Sequence, residues 1–123
     1  MKIKTSDLTL LALDWAVVKC ECAIPAAFKS IPALLNGTVR VFRGDISSYS
    51  GPVSPSTNWA QAGPIIEREG ICLWSEGYDW EAKIQTGPGE WLTEWDTSPL
   101  VAAMRCYVAS KLGDEVDIPE GLQ

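Results

Sequence analysis

Histidine is missing from all 123 residues, and lysine and arginine together number ten against sixteen acids. Without histidine the chain lacks the usual general base, the usual proton shuttle and the commonest metal ligand. A Ser-His-Asp or Cys-His arrangement, a His/Cys zinc deaminase site and paired-histidine phosphoester chemistry are therefore excluded. Carboxylate or carboxylate-metal chemistry remains open, and enzymes as a class are disfavoured. Equally missing is any apolar run long enough to cross a bilayer. The start Met1-Lys2-Ile3-Lys4-Thr5-Ser6-Asp7 carries no apolar signal region, which points to a reducing cytoplasm.

Cysteine is sparse and badly spaced for chemistry. Cys20 and Cys22 stand two apart rather than in C-x₂-C spacing, with Cys72 and Cys106 far away. A bridge between residues two apart is strained, so buried thiols acting as small hydrophobes are expected. Positive charge is scarce where negative charge is dense. Residues 1–75 hold seven bases and six acids, whereas residues 76–123 hold three bases and ten acids. No Lys/Arg cluster is present, so neither a nucleic-acid backbone nor an anionic membrane is an expected partner. The simplest reading of the acids is solubility.

What is present describes one domain over residues 1–123, 46% apolar and 21% charged. From Ser6 to about Glu21, Leu8, Leu11, Ala12, Trp15 and Val18 recur at helical spacing, with Ser6 as the expected cap. Leu10, Leu13 and Val17 add a second apolar flank, as in a helix buried on more than one side. Ala26, Phe28, Ile31, Leu34 and Leu35 suggest a short apolar turn or helix stopped at Asn36-Gly37. Thr38–Phe42 alternates like a strand, and 44–57 has loop composition. Pro64 and Gly70 suit the ends of a short helix over 64–69. Ile71–Trp74 and Tyr78–Gln85 read as a hairpin, the second strand placing Tyr78, Trp80, Ala82 and Ile84 on its buried face. Ser98, Pro99 and Gly113 bracket the clearest helix. Residues 113–123 form an acidic tail expected on the surface. The sum is an α+β domain, with two main helices packed on a small antiparallel sheet.

Three blocks carry a resemblance: Lys4–Leu8 with Ala12–Val17, then Ser56–Glu69, then Ser98–Val116. In this order they resemble the phage NinX family, small proteins of the nin region of lambda-like phages and prophages. Asn58 stands where the family pattern has Asp, and Ala62 where it has a second Gly. A carboxylate role at 58, if relatives have one, is absent here. The resemblance implies a phage protein in the cytoplasm of an infected or lysogenic bacterium. It implies no particular activity.

Candidate functional residues concentrate in Trp59–Glu69. Trp59 offers a stacking face, Gln61 an amide, Gly63-Pro64 an expected helix N-terminus and Arg68 a phosphate partner. Tyr49, on the preceding loop, is expected to close over such a ligand, Asn58 precedes the stretch, Glu67 stands beside Arg68, and Arg105 is expected to pair with Glu67 or Glu69. The competing reading makes Trp59 core, Gly-Pro a turn, and Arg68 and Arg105 ordinary ion pairs. Trp91 and Trp95, among acids, are candidates for a self-association or partner surface. Three functions follow. The first is a non-enzymatic accessory protein binding a nucleotide-like ligand, as a homo-oligomeric sponge for a host-defence signal. The second is a protein-interaction module working through the acidic, Trp-bearing C-terminal half. The third is a carboxylate-metal hydrolase using Glu67, Glu69 and Asp79. No cofactor and no catalytic set is assigned.

Overall fold

The computed structural model describes residues 1–24, 30–43, 48–49 and 51–122, without the side chains of 43, 48 and 49. Two helices, α1 (Leu10–Cys22) and α3 (Pro99–Leu112), lie against each other at the centre. One flank of α1 meets a sheet of β2 (Ser30–Leu35), β3 (Thr38–Arg43) and β4 (Ser48–Tyr49). On its far side, α3 covers a second sheet made of β5 (Cys72–Glu76), β6 (Asp79–Gly87) and β7 (Glu90–Asp96). A helix between a sheet and another helix has no solvent face of any width, which is why both sequences are apolar nearly all round. Leu13, Ala16 and Val17 of α1 and Ala102, Ala103, Met104, Cys106, Tyr107 and Val108 of α3 are at most 1% exposed. The α+β class is as expected. Among the described residues the strands spread over three small antiparallel sheets rather than one.

Several boundaries differ from the sequence expectation. Thr5–Asp7 forms a separate 3-10 turn, and α1 starts only at Leu10, after Thr9. Ser6 therefore does not cap it. Thr5 is committed elsewhere: its hydroxyl donates to the Gly113 carbonyl at 2.6 Å and its N–H to Asp114 O at 2.7 Å. Leu10 then enters the helix at φ +50, a left-handed conformation uncommon for leucine.

The stretch read as a turn or helix ending at Asn36-Gly37 is instead the strand β2. Asn36 (φ +53) and Gly37 (φ +74) form the two-residue link to β3, with Leu35 opposite Thr38. Asn-Gly with both residues at positive φ is the preferred hairpin turn, because its twist matches that of the strands. Ala26, Phe28 and residues 44–47 lie outside the described residues. Within the 44–57 loop, Ser48–Tyr49 pairs with Phe42–Arg43 as β4.

The C-terminal tail is not a free surface run. Glu115–Asp117 (β8) pairs antiparallel with Lys2–Lys4 (β1), and Val116, Ile118 and Leu122 are buried. Alternation explains this: Val116 and Ile118 face inward while Glu115 and Asp117 face water. The helix over Ser98–Gly113 is as expected, with the Ser98 hydroxyl accepting from Val101 N–H at 3.3 Å.

Candidate functional site

The helix α2 (Trp59–Glu69) begins five residues before Pro64. Asn58 is its cap, accepting from Ala60 N–H at 2.9 Å, so Gly63-Pro64 lies mid-helix and offers no helix N-terminus. Gly70, at φ +67, ends the helix as expected. Gln61, Ile65 and Arg68 fall at i, i+4 and i+7 on one face of the helix, with Ile65 buried, Gln61 half-buried and Arg68 exposed at its end. Gln61 spends its amide on the protein's own loop: its oxygen accepts from Ser54 N–H at 2.6 Å and its nitrogen donates to Pro52 O at 3.3 Å. Trp59 is 54% exposed and Glu67 exposed, away from that face. Tyr49 is placed only by its backbone pairing with Phe42.

Arg68 ties three helices together. Its Nη1 and Nη2 donate to the two Glu21 oxygens of α1 at 3.2 and 2.6 Å, and its Nε donates to Glu69 at 2.9 Å. Nη2 also reaches the Tyr107 hydroxyl of α3 at 3.1 Å, and the guanidinium carbon stands 5.7 Å from that ring's centre. The Tyr107 hydroxyl donates in turn to Glu21. Burial, then the bond to the Glu21 carboxylate, pushes the phenol above its ordinary pKa. Burial opposes the charge on Glu69, yet hydrogen bonds from Arg68 and Lys111 outweigh it and hold this carboxyl below its usual range. Tyr107, fully buried and central to the cluster, was not legible as such from its place in an apolar stripe.

Arg105 lies elsewhere. Only 7% exposed, it donates from Nε to Leu8 O at 2.8 Å and from Nη1 to Trp95 O and Asp96 Oδ1, both at 3.2 Å. Its carboxylate partner is thus Asp96, not Glu67 or Glu69, because α3 turns Arg105 toward the end of β7 and away from α2. The candidates around Trp59–Glu69 do not converge. Gln61 and Arg68 are occupied within the fold, Arg105 is at another junction, and Trp59 faces out. Glu67, Glu69 and Asp79 form no metal-holding group, and no group of three His, Cys, Asp or Glu side chains suited to a metal ion occurs among the described residues.

A different surface brings candidate residues together. Cross-strand partners share a face of a sheet, so register sorts the residues of β5–β7. Leu73, Trp80, Ala82, Ile84 and Leu92 belong to the face packed on α3. The opposite face carries Trp74, Glu81 and Trp95 in one cross-strand row, Cys72, Lys83 and Thr93 in the next, and Trp91 opposite Gln85. Trp74, Trp91 and Trp95 are 64, 49 and 55% exposed. Trp91 and Trp95 share this side because a strand repeats every two residues. Trp95 Nε1 donates to Glu81 Oε2 at 3.2 Å, and Lys83 Nζ lies 3.2 Å from Glu81 Oε1. A groove of about 280 Å³ runs between Cys72, Leu73, Trp74, Glu76, Glu81 and Lys83. Tyr78, expected on the buried face, sits instead in the β5–β6 turn at 95% exposure. Trp74 was missed as a surface residue. Its signal was the hairpin itself, which sets it opposite Glu81 on the polar side of β6.

The family model described as Bacteriophage P22, NinX matches residues 4–111. No curated protein matches the chain. No helix among the described residues is long and apolar enough to cross a membrane.

Proposed function

The chain belongs to the phage NinX family, and from that premise we infer a non-enzymatic binding protein whose outer β5–β7 face docks another protein. The observation that carries this reading is the set of three half-exposed indoles on one side of a sheet whose other side is core. Tryptophan is enriched where interfaces bury large, rigid side chains, and a soluble monomer gains nothing from leaving such a patch in water. Around the indoles stand Glu76, Asp79 and Glu81 against the single base Lys83. A complementary partner, from host or phage, presents lysine or arginine to this face, where indoles and carboxylates both attract cations. The nucleotide-signal reading has less behind it, since Gln61 and Arg68 already spend their side-chain hydrogen bonds inside the fold.

Cys72 lies on this face and is exposed, so it gives a direct handle. A photoreactive label on Cys72, irradiated in extract of a bacterial host, is expected to capture one defined protein. The yield should fall with added salt and vanish when Trp74 and Trp95 are both changed to Ser. An adduct that survives the double substitution, or no adduct at all, overturns the reading.

A further inference from the structure

The sheet β5-β6-β7 has two edges, and they differ. On β7 the charges are Glu90, Glu94 and Asp96, whereas β5 carries only Glu76. Edge strands are ordinarily protected by charges, proline or bulges, and an edge without them invites another strand. Among the described residues no strand pairs with the outer edge of β5, and Cys72, Trp74, Ser75 and Glu76 are all exposed.

We propose that β5 is a self-association edge, pairing antiparallel with β5 of a second copy about a two-fold axis at Trp74. A two-fold perpendicular to the sheet keeps both Trp-bearing faces on one side, and centring it on Trp74 pairs all five residues of the strand. In that register Trp74 lies opposite itself, Leu73 opposite Ser75 of the partner subunit, and Cys72 opposite Glu76 of the partner subunit.

Charge favours this arrangement. No like charges stand opposite each other, and the row containing Asp79 and Glu76 continues through Cys72 of the partner subunit to Lys83 of the partner subunit. Lys83 of the partner subunit then lies two strand spacings, about 10 Å, from Glu76 along the same face, within reach of a long side chain. The two Glu81 carboxylates are three spacings apart, roughly 14 Å, beyond the screening length of about 8 Å. The same operation on β7, centred on Thr93, sets Glu90 opposite Asp96 of the partner subunit twice over, and like charges directly opposite are destabilising. The acid pattern thus closes one edge to self-pairing and leaves the other open.

The product is a six-stranded sheet with the two tryptophan faces joined through an indole pair on the axis. Edge pairs this short bury less than the ~1,200 Å² of stable complexes, so the dimer is weak and concentration-dependent. This association is independent of whether the outer face also docks another protein.

Disulfide trapping reads the register directly. Opposed residues in an antiparallel pair have Cα atoms about 4.5–5.5 Å apart, within disulfide reach. Under mild oxidation Glu76→Cys is expected to give a covalent dimer through Cys72 of the partner subunit. The parent protein is expected to give none, because its two Cys72 residues are offset by four positions, roughly 13 Å along the strand. Ser75→Cys, on the other face, is expected to behave like the parent. Sedimentation of the reduced parent should show a dimer fraction rising with concentration, and Trp74→Lys, which opposes two ammonium groups on the axis, should abolish it with an unchanged circular dichroism spectrum. A Glu76→Cys protein that stays monomeric on oxidation, or that crosslinks no better than Ser75→Cys, overturns the proposal. Capture of a host protein from Cys72 would be untouched by that failure.

Discussion

Arg105→Ala is the perturbation for which the structure gives the sharpest expectation. Arg105 is buried, and its guanidinium joins the turn before α1 to the end of β7 through Leu8 O, Trp95 O and Asp96 Oδ1. Alanine leaves two carbonyls without their donor and removes the countercharge from Asp96. Orphaning a buried acceptor costs about 1–3 kcal/mol, and breaking a buried ion pair by removing one partner costs about 3–5 kcal/mol. Asp96 keeps 27% of its side chain in water and also accepts from Ser98 N–H at 2.9 Å, so the lower part of that range applies. A loss of about 3–4 kcal/mol is expected, equivalent to a fall of roughly 10–15 °C in Tm for a domain of this size. Urea unfolding followed by tryptophan fluorescence measures it. Arg105→Lys should recover about half, because one ammonium cannot span three acceptors held in a fork. If Arg105→Ala unfolds within about 1 kcal/mol of the parent, the reading of Arg105 as a structural clamp is wrong, and its nomination as a ligand residue returns.

Three further outcomes follow from the same geometry. Arg68→Ala should cost only about 1 kcal/mol despite its many bonds, because its side chain is 41% exposed and solvent screens the pairs; a loss as large as that of Arg105→Ala in the same urea assay would contradict this. Asp14, buried and accepting from Ser56 N–H at 2.8 Å, has its pKa raised by burial, so its contribution favours folding at low pH and is lost as pH rises through the folded-state value. Asp14→Asn keeps an acceptor for Ser56 without the buried charge, and should match or exceed the parent's stability at neutral pH while flattening this part of the pH dependence. Thiol titration at pH 8 should modify Cys72 at once and Cys22 slowly, while Cys20 and Cys106, both buried and pushed up to about 12, react only on unfolding.

How much was legible in the sequence depended on whether the signal was local. The helix over Pro99–Leu112 was readable because Ser98, Pro99 and Gly113 each act on their own backbone, and the polar face of β6 because alternation is a local period. Asn36-Gly37 suits a helix end and a hairpin equally, and only pairing of Leu35 with Thr38 decides for the hairpin. The tail's pairing is not legible because its partner, Lys2–Lys4, is over a hundred residues away in sequence. For the site, Trp91 and Trp95 were readable as a surface from their acidic neighbours. Arg68 and Arg105 were not, since each meets its partners only once α1, α3 and β7 are in place. Tyr107 gave no sign at all: a hydroxyl inside an apolar stripe looks like core until Glu21 and Arg68 arrive beside it.

In the proposed docking role Trp74 and Trp95 serve a partner rather than the fold, and stability and crosslinking measured together on Trp74→Ser/Trp95→Ser separate the two. The double variant should unfold within about 1 kcal/mol of the parent, as surface substitutions do, while Trp80→Ser, on the core face, should lose about 3–5 kcal/mol. The same double variant should lose the Cys72 crosslink to a host protein. A stability loss of the Trp80 size with the crosslink retained would mean that these indoles serve the fold and not a partner.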